Sequence, residues 1–132
     1  MDFVRAAEIE PKKIYTLLWQ YFARRRLEEE NARPTLAQAS KSLEMNDLER
    51  AFVSFLLEEI TAEELLKAAD DKDSKKQNEN HCEAYFYIGQ QYLLQNNNEE
   101  AKSYFERSIA TGVKDFVEYQ AAKRELKKIK SE

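Results

Sequence analysis

Residues able to do chemistry are few in this chain of 132 amino acids. One histidine and one cysteine occur, His81 and Cys82, side by side. An imidazole and a thiol are the parts of a base and its nucleophile, but neighbours on a helix point in different directions and do not face each other. No second histidine or oxyanion loop accompanies them, so the pair reads as structural. A single cysteine excludes an intramolecular disulfide and any multi-cysteine metal site. The acidic pairs Glu58-Glu59, Glu63-Glu64, Asp70-Asp71 and Glu99-Glu100 resemble catalytic carboxylates or a cation cluster, yet they stand in charge-dense segments that solvation explains. Arg24, Arg25 and Arg26 could meet a phosphate or an acidic partner; facing Glu28, Glu29 and Glu30, they read as a snorkelling helix end. No catalytic residue, metal site, cofactor or small-molecule substrate is expected.

The elements that would position any site are helices. With 2 Gly and 2 Pro, the chain lacks the glycines that tight hairpins, phosphate loops and doubly wound nucleotide folds require. Ile14, Leu17, Leu18, Tyr21 and Phe22 follow helical spacing, which predicts a helix from about Pro11 to Glu29. Pro34 suits the first turn of a second helix, roughly 34 to 43. Asn46 with Glu49 and Thr61 with Glu64 have capping-box spacing ahead of two more apolar stripes. Residues 70 to 80, without a large apolar side chain, are expected to be a polar loop, with a helix start inside it as the alternative. The size fits one domain over residues 1–132, with degenerate helical repeats in 1–69.

After the polar tract comes the informative segment. Tyr85, Ile88, Gly89 and Tyr92 reproduce the aromatic-x2-Leu-Gly-x2-Tyr opening of a tetratricopeptide repeat, and Ala101 with Phe105 reproduces its Ala-x3-Phe middle. Gly89 and Ala101 are small, so two antiparallel helices can approach closely. Asn96, Asn97 and Asn98 suit the turn between them, and Gly112 suits a helix C-terminus, closing a repeat over 81–112. A capping helix follows over 113–132: Asp115 can cap it, and Phe116, Tyr119, Ala122, Leu126 and Ile129 form an inward stripe beside a basic outer face. The expected fold is all-α: antiparallel helical hairpins stacked as a short tetratricopeptide-like right-handed superhelix with a C-terminal capping helix. Phe3, Ala6 and Pro11 resemble the closing half of another repeat, whose exposed face predicts a missing upstream portion or cover by a second copy.

The segment from Ile14 to Ile129 resembles the C-terminal part of the NlpI-type lipoproteins, bacterial tetratricopeptide proteins of the cell envelope. The resemblance is carried by Leu18, Trp19, Tyr21, Phe22 and Ala23; by Val53, Phe55, Leu56, Ile60 and Thr61; and by the run Ala84 to Gly89 with Tyr92 and Leu93. Ala110, Val113, and Phe116-Val117-Glu118-Tyr119 followed by Glu125-Leu126 complete it. It implies an adaptor at the periplasmic face of the outer membrane, often homodimeric, that holds a processing protease and peptidoglycan hydrolases together. Family members carry a lipidated N-terminal cysteine, a part that Cys82, inside the repeat helix, cannot play. Asp2, Arg5, Glu8 and Glu10 interrupt the N-terminal stretch, so no signal peptide is read there and a complete product would be cytoplasmic.

Helices of such repeats leave residues between their core positions facing a groove. Glu83, Phe86, Gln90 and Leu93 would face it from one helix, and Gln120, Arg124 and Lys127 from the next, an apolar floor beside a basic wall suited to a peptide. The competing reading has the chain's own N-terminal helices cover Phe86 and Leu93. With a net charge of −4 and a pI near 5.3, nothing global recruits nucleic acid, and the apolar runs are too short to insert into a membrane. The chain is therefore expected to be a non-catalytic module for protein or peptide partners. The alternative is a self-assembling structural fragment, a homodimer without a groove.

Overall fold

A computed structural model describes residues 13–131; the half repeat expected at Phe3, Ala6 and Pro11 lies outside the described residues. These form seven helices and no strand: α1 (Lys13–Arg26), α2 (Ala32–Ser40), α3 (Asp47–Leu56), α4 (Ala62–Ala68), α5 (Ser74–Leu94), α6 (Asn98–Ala110) and α7 (Val117–Ser131). They gather into two compact units, one ending at Ile60 and one beginning at Thr61.

In the first unit the α1 stripe is buried as its spacing predicts, at Ile14, Leu18, Tyr21 and Phe22, with Leu17 half-buried. The Tyr21 hydroxyl donates to the carbonyl of Leu56, 3.2 Å away, satisfying an acceptor that the end of α3 leaves open. Pro34 stands in the first turn of α2, where its missing N–H removes nothing the helix uses. The α3 capping box is complete: Asn46 accepts from the Glu49 amide at 2.8 Å, and Glu49 accepts from the Asn46 amide at 2.9 Å.

Helix ends here use few glycines. After α1, Glu28 takes a left-handed φ of 58°, its amide donating to Arg25 and that of Glu29 to Arg24. Glu58 (φ 64°) after α3 and Asn96 (φ 62°) after α5 repeat this arrangement. Each is a Schellman closure built on a residue that carries a Cβ.

In the second unit, Thr61 and Glu64 form the other expected capping box, at 3.0 and 3.1 Å. The polar tract is mostly helix: α5 begins at Ser74 with Asp73 as its cap, leaving only residues 70–73 as connection. Polarity misleads there because the early turns of α5 need no apolar stripe; amides hold them instead. Asn80 donates to the Ala69 carbonyl at 3.2 Å, and Asn78 to that of Thr111 at 2.7 Å. Helices α5 and α6 make an antiparallel hairpin, and α7 packs on both. Gly112 has the expected left-handed φ of 72°. Helix α7 starts at Val117, so Asp115 stands one residue ahead of the cap position it was expected to fill.

Candidate functional site

The repeat motif does what its residue types require. Gly89 lies against the ring of Phe105: a Cβ there would sit 2.7 and 2.8 Å from two ring carbons, inside any normal contact. Ala101, Phe105 and Ile88 have no accessible surface. The motif tyrosines run along one side of the hairpin, half-buried. Tyr92 stacks on Tyr104, with ring centroids 5.7 Å apart, and Tyr104 also meets Tyr85 at 6.2 Å. The Arg107 guanidinium lies 4.7 Å from the centre of the Tyr104 ring, a cation–π contact. Burial, then the neighbouring Tyr104, push the Tyr92 hydroxyl above the usual phenol range.

Helix α7 is tied to the hairpin by a buried polar contact that the motif does not announce. The Tyr87 hydroxyl of α5 donates to Glu118 Oε2 of α7 at 2.6 Å. Burial pushes the Glu118 carboxyl above its ordinary range, and the tyrosine bond opposes that shift. The spacing signals the burial of Glu118 but not its partner, since Glu118 stands four residues before Ala122, and Glu125 three after it, on the inward arc of the helix. Ser108, one turn after Phe105, is also fully buried and donates to the Cys82 carbonyl at 2.8 Å.

His81 and Cys82 diverge as adjacency on a helix dictates. His81 Nε2 lies 3.1 Å from Asp70 Oδ1, whereas the Cys82 sulfur is buried 3.5 Å from the Ser108 hydroxyl. Burial raises the thiol above its usual range despite bonds to Thr111 and Ser108, which disfavours the nucleophilic thiolate. Among the acidic pairs, Glu58 bridges to Arg33 at 3.0 Å, Glu64 completes the α4 cap, and Glu99 and Glu100 occupy the first turn of α6. No three His, Cys, Asp or Glu residues among those described are placed to hold a metal ion. No helix among them is long and apolar enough to cross a membrane.

The residues expected to face a groove separate into three groups. Phe86 and Gln90 are buried, Phe86 completely, its ring 5.9 Å from that of Phe105 and edge-on to Tyr87. Phe86 therefore belongs to the packed interior, because its place on α5 turns it toward α6, and it offers no floor to a ligand. Glu83 and Leu93 on α5 and Gln120 on α7 are half-buried. Arg124 and Lys127 on α7 are exposed.

No family model matches the chain. It is 31% identical over 131 residues to a lipoprotein NlpI homolog of Haemophilus influenzae, an alignment that covers 98% of this chain. The chain spans 42% of the length of that relative. Seven helices without a strand among the described residues, a tetratricopeptide-like hairpin at Gly89 and Phe105, and this alignment over 98% of the chain agree: the chain is similar to the NlpI-type lipoproteins.

Proposed function

We propose that the chain is a non-catalytic adaptor of the bacterial cell envelope that binds protein partners, among them a processing protease and peptidoglycan hydrolases. The observation that carries this reading is the α5–α6–α7 group, a repeat hairpin with a helix packed on it, in a chain similar to a lipoprotein NlpI homolog. Such hairpins present surface rather than reactive groups. The His81 and Cys82 side chains, engaged with Asp70 and Ser108, support a binding role over a catalytic one. Glu83, Leu93, Gln120, Arg124 and Lys127 are the residues of the expected groove whose side chains retain accessible surface to contribute.

Binding of the immobilised chain to a purified processing protease and to a peptidoglycan hydrolase of the same cell envelope tests this. Saturable binding of either, weakened at least tenfold by Leu93→Asp with unchanged far-UV circular dichroism, is the expected result. Absence of binding to both enzymes overturns the envelope-adaptor reading. The homodimer expectation rests on the family resemblance and on a half repeat outside the described residues, and light scattering decides it: a mass that stays monomeric at all concentrations removes it.

A further inference from the structure

Helix α7 segregates its charges more sharply than its sequence suggests. It carries five basic residues, Lys123, Arg124, Lys127, Lys128 and Lys130, and two acids, Glu118 and Glu125. Both acids are buried, at 3% and 6% exposure, and all five basic residues are exposed. At about 100° per residue, the five cations share one arc of about 160°, into which Val117 and Gln120 also fall among residues 117–130. Solubility does not require this. A solvated helix ordinarily intersperses carboxylates at i,i+4 from its lysines, and like charges at that spacing, as in Lys123 with Lys127 and Arg124 with Lys128, destabilise it. Of the two acids, Glu118 is turned to Tyr87, and Glu125 pairs with Lys128 at 3.3 Å. Lys123 lies 5.9 Å from the centre of the Tyr119 ring. Arg124 stands on the outward arc with its planar fork of donors, the geometry that pairs bidentately with a carboxylate.

The size of the stripe and its own charge select among anionic partners. From Lys123 to Lys130 the cations span about 10 Å, the length of roughly three or four extended residues. The helix itself is net +3, so an acidic partner is the complementary one. A short acidic segment matches the length of the stripe, whereas a bilayer or a long nucleic acid extends past it.

We propose that the outward arc of α7, centred on Lys123, Arg124 and Lys127, docks a short acidic peptide segment of a protein partner. This rests on the reading of the chain as a protein-interaction module and names the chemistry of what it takes. Fluorescence anisotropy of a fluorescein-labelled hexaglutamate peptide titrated with the full chain tests it. Saturable binding that weakens with added salt is expected, and Lys123→Glu with Arg124→Glu should raise Kd at least tenfold. Lys75→Glu with Lys76→Glu, exposed at the start of α5, carries the same charge change and should alter Kd less than twofold. Lys123→Gln with Arg124→Gln, a milder change, should weaken binding in the same direction with the circular dichroism of the native chain.

Equal loss in the α5 and α7 variants would show attraction to overall charge and overturn the assignment, as would no binding of the peptide. Co-sedimentation with phosphatidylglycerol vesicles but no peptide binding would overturn it in favour of a membrane surface. Full binding of the envelope protease by the α7 charge-reversal variant, with peptide binding also unchanged, removes the α7 face but leaves the adaptor reading standing. Peptide binding lost only in the α7 variants, with neither envelope enzyme bound, supports the docking face while the envelope reading falls.

Discussion

The Tyr87 hydroxyl and the Glu118 carboxylate meet 2.6 Å apart in the interior between α5 and α7, the one from the repeat hairpin, the other from the helix packed against it. Removing the donor with Tyr87→Phe leaves the carboxyl without that bond in a dry site, which should cost about 1 to 3 kcal/mol in urea unfolding. The pair also sets a pH dependence. Because burial raises the Glu118 pKa above 4.5, the folded state holds a proton that the unfolded state has released between that value and the raised one. Stability from this group is therefore fully present below about pH 4.5 and is lost as pH rises through the folded pKa. Glu118→Gln keeps an acceptor for Tyr87 and does not titrate. The stability of the native chain minus that of the variant should fall as pH is raised from 4; a flat difference would show that the carboxyl does not titrate out of register with the unfolded chain.

Gly89 should tolerate no larger residue. Alanine would gain about 1 kcal/mol of helix propensity over glycine, but its Cβ would fall 2.7 Å from Phe105. Overpacking of this kind costs about 1 to 3 kcal/mol, so Gly89→Ala should be destabilising on balance. Urea unfolding of the single variant and of Gly89→Ala with Phe105→Leu separates the terms. The second change should recover part of the loss, a non-additivity that only contacting residues show.

What the sequence made legible divides by physical cause. Helical stripes, both capping boxes and the closeness of α5 and α6 at Gly89 could be read because each depends on residues a few positions apart or on a motif with fixed spacing. Phe86 was misplaced because a groove position and a core position on one helix differ by a single residue, about 100° of the wheel, and only the packing of α6 decides between them. Residues 74–80 hid a helix because apolar periodicity marks helices that bury a face, and these turns bury little. Tyr87 with Glu118 and Tyr92 with Tyr104 join residues of separate helices, so no local pattern could pair them.

Cys82 should be inert while the protein is folded. Its sulfur has no accessible surface, and burial raises its pKa, so both access and thiolate population are low. Labelling with iodoacetamide at pH 8 should be at least 100-fold slower in the native chain than in urea. Labelling at the rate of a free thiol would reopen a nucleophilic role for Cys82.

The scarcity of glycine leaves a cost at helix ends that substitution can recover. Glu28 holds a φ of 58° with a Cβ, a conformation that L residues other than glycine, asparagine and aspartate adopt at an expense of about 1 kcal/mol or more. Its side chain is exposed, and the closure depends on the amides of Glu28 and Glu29 donating to Arg25 and Arg24, not on the carboxylate. Glu28→Gly keeps those bonds and relieves the strain, although glycine gives up more chain entropy on folding. The net gain should be about 0.5 to 1 kcal/mol in urea unfolding. Gly112→Ala is the reciprocal experiment: open space surrounds the position, so a methyl meets no atom, and the φ of 72° alone should destabilise it by about 1 kcal/mol. If Glu28→Gly destabilises while Gly112→Ala is neutral, backbone conformation is not what limits these helix ends.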